Sequence, residues 1–319
     1  MTMKILLGVD FSRDSKAAIR FLSTLRFPAK SELFFVHVIR AYHEFAMLHA
    51  HELEDGISVL QQKHYVRAQR HLTKLAEQFV DPALQVQTVV QEGNPGREIL
   101  ALLEQEQCHL AVLGTRGLSS IERFLLGSVS EWVLQEAPCS ILVVRGSGRR
   151  GKRGWRVLVA TDGSSEAQAA LEMLNTLQFP PASEVFVFHV VEGTDYRVVQ
   201  DDFRRLAVDA SGQVDLADIM ETIQMRKEVE GLALVKEAKK GLFNRHGKQG
   251  HISSGHAAEE ILRAARRFRA DLIVMGSRGL TGLKRQFLGS VSTRVARHAE
   301  CSVLVVRRPK KDSKALNSD

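Results

Sequence analysis

The chain has 319 residues, a length typical of two domains of ordinary size. Its hydrophobic content of 44% and charged content of 25% are typical of a soluble globular protein. No apolar run approaches the roughly 20 residues that a membrane span needs. Three cysteines are too few for a disulfide framework. The composition therefore predicts a cytoplasmic protein with no membrane partner.

The formal net charge of +7 is concentrated in two segments. Residues 145–156 carry six Lys and Arg residues without an acid, and residues 307–319 carry five against two Asp. The rest of the chain is slightly acidic. We therefore interpret the basic excess as a solvated linker and tail, and we expect no specific nucleic-acid partner.

The sequence contains an internal repeat. Residues 4–39 resemble residues 156–191 at an offset of 152, and residues 92–117 resemble residues 254–279 at an offset of 162. The repeat predicts a first domain at 1–146, a flexible basic linker at 147–154, a second domain at 155–308 and a polar tail at 309–319.

Along the first copy, continuous apolar runs predict strands at 5–9, 33–38, 86–90, 110–114 and 141–144. Runs that are apolar on both sides are typical of parallel strands covered on both faces. The segments between them have helical spacing, as in Ile99, Leu102 and Leu103. Each copy is therefore predicted to be a doubly wound, Rossmann-like α/β domain, with ligand-binding loops after the strands at one sheet edge.

An acid follows the first predicted strand of each copy, Asp10 and Asp162. A carboxylate at this edge can bind ribose hydroxyls, adenine or a metal. The alternative is that it caps the next helix, a role for which Ser12 and Ser164 compete. We favour ligand contact.

The second strand of each copy contains a histidine, His37 or His189. A single histidine in a buried strand is more often packed and hydrogen-bonded than catalytic. We therefore assign no catalytic residue to either copy.

Two glycine-punctuated segments follow the fourth strands: 114–130 (GTRGLSSIERFLLGSVS) and 276–292 (GSRGLTGLKRQFLGSVS). Both have the pattern G-x2-G-x9-G-S. Glycine permits a sharp turn and close approach of a ligand, and the N-terminus of the helix that follows attracts phosphate. Alternatively, Ser128 and Ser290 are only helix N-caps and the glycines only turns. The identical spacing in both copies favours a ligand site, whose candidates include the helix-start hydroxyls of Ser128, Ser130, Ser290 and Ser292.

Neither segment contains the lysine of a P-loop or the G-x-G-x-x-G of a dinucleotide-binding turn. Arg116 and Arg278 are the cations that the two loops share. They either contact phosphate or are solvated, and the sequence leaves both interpretations open.

These motifs resemble the universal stress protein family in its tandem two-domain form, since G-x2-G-x9-G-[ST] is the signature of the ATP-binding branch of that family. The resemblance covers both repeats. It implies ATP as ligand, often with Mg²⁺ or Mn²⁺ on the phosphates, and an internal pseudo-dimer that pairs through the last strands. It also implies a stress-response role in which nucleotide occupancy changes conformation or the binding of regulatory partner proteins, and it is compatible with a homodimer.

The resemblance also implies roles for individual positions. The backbone of Val38 and Val190 would hold adenine, and Asp10 and Asp162 would face adenosine. The ribose and triphosphate cradle would be formed by Leu113, Gly114, Arg116, Gly117, Gly127, Ser128 and Val129 and by their equivalents Met275, Gly276, Arg278, Gly279, Gly289, Ser290 and Val291.

Three functions are compatible with these motifs: nucleotide-dependent regulation, a slow ATPase or self-phosphorylating enzyme, and an interaction scaffold with empty pockets. Fast phosphoryl transfer needs a positioned base and metal-holding acids, and the two loops do not supply a matched set. We therefore place turnover below binding. The intact double motif argues against empty pockets. Whether both copies bind nucleotide stays open.

Overall fold

Strands and helices alternate along both copies in a computed structural model that describes residues 2–40, 54–77, 79, 81, 84–115, 126–146, 154–193, 216–242, 247–280 and 288–308. The strands are β1 (Lys4–Gly8), β2 (Ser31–Ile39), β3 (Leu84–Glu92), β4 (Leu110–Gly114), β5 (Ser140–Val144), β6 (Arg156–Ala160), β7 (Glu184–Val191), β8 (Lys248–Ser254), β9 (Leu272–Gly276) and β10 (Ser302–Val306). The helices are α1 (Arg13–Leu22), α2 (Glu54–Glu77), α3 (Pro95–Gln105), α4 (Ser128–Glu136), α5 (Ser165–Thr176), α6 (Leu216–Gly241), α7 (Ala257–Arg267) and α8 (Ser290–His298).

All ten strands belong to one sheet with the order β3-β2-β1-β4-β5-β10-β9-β6-β7-β8. Within each half the strands are parallel, whereas β5 and β10 pair antiparallel where the halves meet. This order confirms the prediction of two doubly wound α/β copies that pack as an internal pseudo-dimer through their last strands.

Two hydrophobic clusters cover the two faces of the sheet, which explains the continuous apolar runs. Neighbouring residues of β1 alternate between them: Leu7 belongs to one cluster and Leu6 to the other. Helices α1, α2, α5 and α6 contribute to the first cluster, and α3, α4, α7 and α8 contribute to the second. None of the helices in the described part of the chain is long and apolar enough to cross a membrane.

The two copies also meet beside α1 and α5. Arg26 and Gln178, which are equivalent positions of the repeat, exchange backbone hydrogen bonds of 2.9 and 3.1 Å. The Trp155 ring packs on Phe21 with centroids 4.5 Å apart, and its indole N–H donates to the Thr24 hydroxyl at 3.1 Å. The first copy therefore contacts the second through side chains as well as through the sheet.

Two equivalent arginines cross between the copies. Arg307 donates to the carbonyls of Leu134 (2.9 Å) and Gln135 (2.7 Å) at the end of α4. Arg145 donates to the carbonyl of Ala296 (2.8 Å) near the end of α8. A cation at a helix C-terminus pairs with carbonyls that have no partner within the helix and with the negative end of the helix dipole. Each copy thus caps a helix of the other.

The interpretation of the basic excess as solvated linker and tail is wrong for three of its residues. Arg145 and Arg307 are the partly buried helix caps just described. Arg156 donates to the Glu184 carboxylate at 3.0 Å and to the Phe268 carbonyl. Composition counts charges, but it does not distinguish a solvated arginine from one that satisfies buried carbonyls.

Candidate functional site

A cavity of about 600 Å³ lies at the carboxyl edge of the second half of the sheet. It lies at the ends of the adjacent strands β6 and β9. The strand next to β6 on the far side is β7, and the strand next to β9 on the far side is β10. This is the switch point at which doubly wound sheets bind ligands. The sequence-predicted site residues of the second copy all line it: Asp162, Val190, Met275, Gly276, Arg278, Gly279, Gly289, Ser290, Val291 and Ser292.

The N-terminus of α8 opens into this cavity. Its N-cap is Gly289, which provides no side-chain hydrogen bond to the helix. Gly127 begins α4 in the same way. By contrast, the Ser164 hydroxyl caps α5 by accepting from the N–H of Ala167 at 3.1 Å. The first N–H groups of α4 and α8 are thus not capped by the N-cap side chain and can face an anion.

Ser128 and Ser290 are the first helical residues and not N-caps, so the interpretation of these serines as caps is wrong. The second serine of each pair is buried and helps to fix the helix start. Ser130 donates to the Gly114 carbonyl at 2.7 Å, and Ser292 Oγ lies 2.8 Å from the Ser277 carbonyl oxygen. These two hydroxyls shape the site by holding the helix against the end of the strand.

The Asp162 carboxylate links the loop after β6 to the glycine loop after β9. One oxygen accepts from the N–H of Ser164 at 3.0 Å and the other from the N–H of Leu280 at 3.2 Å. A Cβ at Gly279 would lie 2.6 Å from the second oxygen, so glycine is required for this approach. Asp10 accepts equivalently from the N–H of Ser12 at 3.0 Å. The helices are capped by the serines, so the alternative that the acids are N-caps is wrong.

The glycines that end β4 and β9 serve close packing as well as the turn. A Cβ at Gly114 would lie 2.8 Å from the backbone of Asp14, and a Cβ at Gly276 would lie 2.8 Å from the backbone of Glu166. Glycine therefore lets the next helix begin directly against the strand end, which brings the first turn of α5 beside the cavity.

Arg278 lies at the cavity wall and forms an ion pair with Glu166, with 3.5 Å between Nη2 and Oε1. Their side chains are 18% and 17% exposed. The interpretation of Arg278 as a solvated loop arginine therefore does not hold. Its equivalent Arg116, and Gly117, lie outside the residues that the structure describes.

The strand histidines are packed and hydrogen-bonded, as predicted. His37 Nδ1 lies 2.6 Å from the Val9 carbonyl oxygen, and His189 Nδ1 lies 2.8 Å from that of Thr161. A carbonyl only accepts, so Nδ1 carries the proton in both rings. His189 also lines the cavity.

Helix α6 supplies wall residues that no sequence motif indicates. Lys227, Glu230 and Gly231 line the cavity, and the Lys227 ammonium donates to the Glu192 carbonyl at 3.3 Å. A Cβ at Gly231 would lie 2.7 Å from His189 Cδ2, so the glycine permits the helix to approach the strand. A glycine inside a long helical segment was the signal that could have revealed this contact.

The described residues of the first copy occupy the equivalent edge. Asp10 follows β1, Val38 lies in β2, and Leu113 and Gly114 end β4. Gly127, Ser128 and Val129 form the start of α4. They surround the switch point between β1 and β4, as their equivalents do between β6 and β9.

The copies differ immediately after the strand-end acid. Gly163 has φ 79°, and the equivalent Phe11 has φ 61°, a left-handed conformation that a side chain rarely adopts. The Phe11 ring packs on His37 with centroids 4.6 Å apart and approaches His71 at 5.8 Å. Ring packing thus offsets the backbone strain in the first copy, whereas glycine avoids it in the second.

Comparison with known proteins agrees with this architecture. The model of the universal stress protein family matches residues 1–145 and 155–307. A universal stress protein of Mycolicibacterium smegmatis is 27% identical over 312 residues, which cover 95% of this chain and 96% of the relative. One from Methanocaldococcus jannaschii is 33% identical over 159 residues, 49% of this chain and 84% of the relative.

Solved structures show the same fold. The crystal structure of a universal stress protein from Archaeoglobus fulgidus aligns with a TM-score of 0.58 at 23% identity, covering 96% of this chain and 97% of that one. A putative universal stress protein from Pseudomonas aeruginosa aligns with a TM-score of 0.56 at 16% identity, covering 96% and 93%. With two family matches that together span nearly the whole chain, this protein belongs to the universal stress protein family.

Proposed function

We propose that the second copy binds ATP or a closely related adenine nucleotide in the cavity between β6 and β9. The observation that carries this proposal is that the α8 N-terminus, without a side-chain cap, opens into a cavity of about 600 Å³ whose wall also contains Asp162. That volume is within the range of small-molecule sites, which is roughly 300–1,000 Å³.

The phosphate end of the ligand is assigned to the start of α8. The N–H groups of Ser290 and Val291 belong to the first helical turn, where the helix dipole favours negative charge. The Arg278 guanidinium adds a positive charge at the same wall. Gly276, Gly279 and Gly289 line the cavity as well.

The adenosine end is assigned to the opposite part of the wall. Asp162 supplies a carboxylate for hydroxyl or amino groups, and Val190 supplies the backbone of β7. Phe188, Ile261 and Met275 add apolar wall surface that suits a flat base. We propose an equivalent site in the first copy, built on Asp10, Val38 and the start of α4.

We propose that occupancy of the site, and not ATP hydrolysis, is the functional output: bound nucleotide changes the conformation of the protein and its binding of regulatory partner proteins. Within the described ranges no group of three His, Cys, Asp or Glu residues could hold a metal ion. We propose that Mg²⁺ or Mn²⁺ accompanies the nucleotide on its phosphates. The free cysteines fit a reducing compartment such as the cytoplasm, where a stress-response regulator would act.

The first prediction concerns binding stoichiometry, measured by calorimetry with ATP and Mg²⁺ on the full chain. Gly289→Asp places a carboxylate at the phosphate end, and aspartate is itself a good N-cap, so α8 can still form. A Cβ there would lie 3.1 Å from the Ser277 carbonyl oxygen, so the substitution requires a local shift and its effect on the fold must be checked. We expect affinity at the second site to fall at least about tenfold through charge repulsion.

Gly127→Asp is the matched variant for the first copy, and circular dichroism checks the fold of both. Two ATP bound to the unmodified chain, and one to each variant, would support twin sites. No binding at millimolar ATP, or a Gly289→Asp protein that binds as the unmodified chain does, would refute the proposal.

A further inference from the structure

The acid in the first turn of α1 and of α5 makes different contacts in the two copies. In the first copy the Asp14 carboxylate accepts from the Thr115 hydroxyl at 2.6 Å. The equivalent pair in the second copy is Glu166 and Ser277. This pair does not form: Ser277 Oγ is buried without a hydrogen-bond partner in the described part of the structure. The Glu166 carboxylate accepts from the neighbouring Ser165 hydroxyl at 2.8 Å, and it also has a partner in the glycine loop.

That partner is Arg278, the loop cation at the cavity wall, whose Nη2 lies 3.5 Å from Glu166 Oε1. Glutamate is one methylene longer than aspartate and reaches past the serine to the guanidinium. Both side chains are more than four-fifths buried, so water screens this pair less than an exposed one. Much of the charge that Arg278 would offer to an anion is therefore balanced by Glu166.

The loop backbone is fixed to the same turn at two further points. Asp162 accepts from the N–H of Leu280 at 3.2 Å, and Ser164 Oγ lies 3.5 Å from the Arg278 carbonyl oxygen. Asp162, Ser164 and Glu166 thus hold residues 278–280 from one side. Because the backbone has its own anchors, Glu166 can lose Arg278 without release of the loop.

A second cation lies near Arg278. Burial is the main reason why the pKa of Arg307 is lowered; the charge of Arg278 acts in the same direction, whereas Cys139 and Glu136 act against it. Glu166 is the acid that pairs directly with Arg278 beside the phosphate end of the cavity. A carboxylate in that position also repels phosphate directly.

We propose that Glu166 competes with the phosphate groups of the nucleotide for Arg278, and that it thereby weakens the preference of the second site for highly charged nucleotides. This inference rests on the proposed function, since it concerns a ligand of that same cavity. Among the described residues the copies differ at this position, because Asp14 accepts from the Thr115 hydroxyl, whereas Glu166 and Ser277 do not form the equivalent pair. Glu166 is a specificity-determining residue whose effect grows with the number of phosphates.

The test measures the affinities of adenosine, AMP and ATP by calorimetry in a Gly127→Asp background, which reports the second site. Glu166→Gln keeps size and polarity and removes the charge. We expect ATP to bind about tenfold more tightly, AMP to gain less, and adenosine to be unchanged, since only phosphates carry the charge that Glu166 opposes. The salt dependence of ATP binding should become steeper.

A second variant separates the effect of side-chain length from the effect of charge. Glu166→Asp with Ser277→Thr rebuilds the acid–hydroxyl pair of the first copy and keeps the carboxylate. It should release Arg278 and also tighten ATP binding. Asp14→Asn, which changes the equivalent acid of the first copy, is the control and should leave the second site unaltered.

Three outcomes overturn the inference. The first is ATP affinity that falls or stays constant in Glu166→Gln. The second is a gain shared equally by adenosine, which would indicate a structural effect. The third is a gain that persists in full when Arg278→Gln is added, since competition requires the arginine. Absence of ATP binding by the unmodified chain would instead refute the proposed function, and this inference with it.

Discussion

His251, on the edge strand β8, shows how its surroundings change the chemistry of one side chain. Its ring packs on Phe268 with centroids 4.6 Å apart, and its Nε2 atom is buried without a hydrogen-bond partner among the described residues. Burial lowers the pKa of His251 below its ordinary value of 6.5, and the charges of Arg267 and Lys239 lower it further. The fold therefore favours the neutral ring.

The direction of the pH effect follows from this shift. The pKa of His251 is lower in the folded than in the unfolded chain, so its contribution to the free energy of unfolding is complete above pH 6.5. That contribution is lost as the pH falls through the pKa of the folded state. We predict that His251→Phe flattens the dependence of the unfolding free energy on pH from about 7 to 5. Urea denaturation across that range measures it, with the exposed His298→Gln as control. An unchanged slope in His251→Phe would contradict the prediction.

At the scale of elements, α4 and α8 each have two specialised ends. The N-terminus has no side-chain cap and faces the candidate site, whereas an arginine of the other copy donates to carbonyls near the C-terminus. Glu131 of α4 and Arg297 of α8 also form an ion pair across the junction. The two helices that begin the anion sites are thus held by the opposite half of the molecule.

We predict that Arg307→Gln lowers the free energy of unfolding by about 1–2 kcal/mol, because carbonyls at the end of α4 lose a charged donor in a partly buried position. Arg145→Gln should have a similar effect through α8. Lys240→Gln is the control: Lys240 pairs with Glu237 at 3.0 Å on the surface, where such pairs contribute less than about 1 kcal/mol. If urea denaturation shows that Arg307→Gln changes the free energy of unfolding no more than Lys240→Gln does, the caps do not stabilise the fold.

At the scale of the whole molecule, the continuous sheet predicts that both copies unfold together. Trp155 is a probe of the junction, since it is 6% exposed and packs on Phe21 of the other copy. Trp132, the other tryptophan, is 36% exposed. In a Trp132→Phe protein, the fluorescence of Trp155 should therefore report whether the copies separate before they unfold.

We predict that this fluorescence and far-ultraviolet circular dichroism give coincident urea transitions, as expected when no intermediate is populated. Trp155→Ala should shift the whole transition to lower urea, since truncating a buried aromatic costs about 3–5 kcal/mol. A junction signal that changes before the secondary structure is lost would show instead that the copies are independent units joined by a weak contact.

The sequence by itself determined the alternation of strands and helices within each copy. Continuous apolar runs such as 110–114 identified parallel strands, and the Gly-Ser steps marked the start of α4 and α8. These features depend on local backbone preference and on periodicity, which are determined by residues close together in the sequence. The repeat and the family resemblance added the pseudo-dimer, and the ten predicted residues of the second copy converge on one cavity.

The tertiary structure decided which side chains meet. Three contacts join residues that are far apart in the chain. Glu166 pairs with Arg278, Lys227 of α6 lines the cavity, and Arg307 donates a hydrogen bond to a carbonyl at the end of α4. Such contacts depend on how helices pack across the sheet and on single methylene lengths, as the difference between Asp14 and Glu166 shows. Local patterns do not encode those distances, so the charge balance of the site emerged only from the fold.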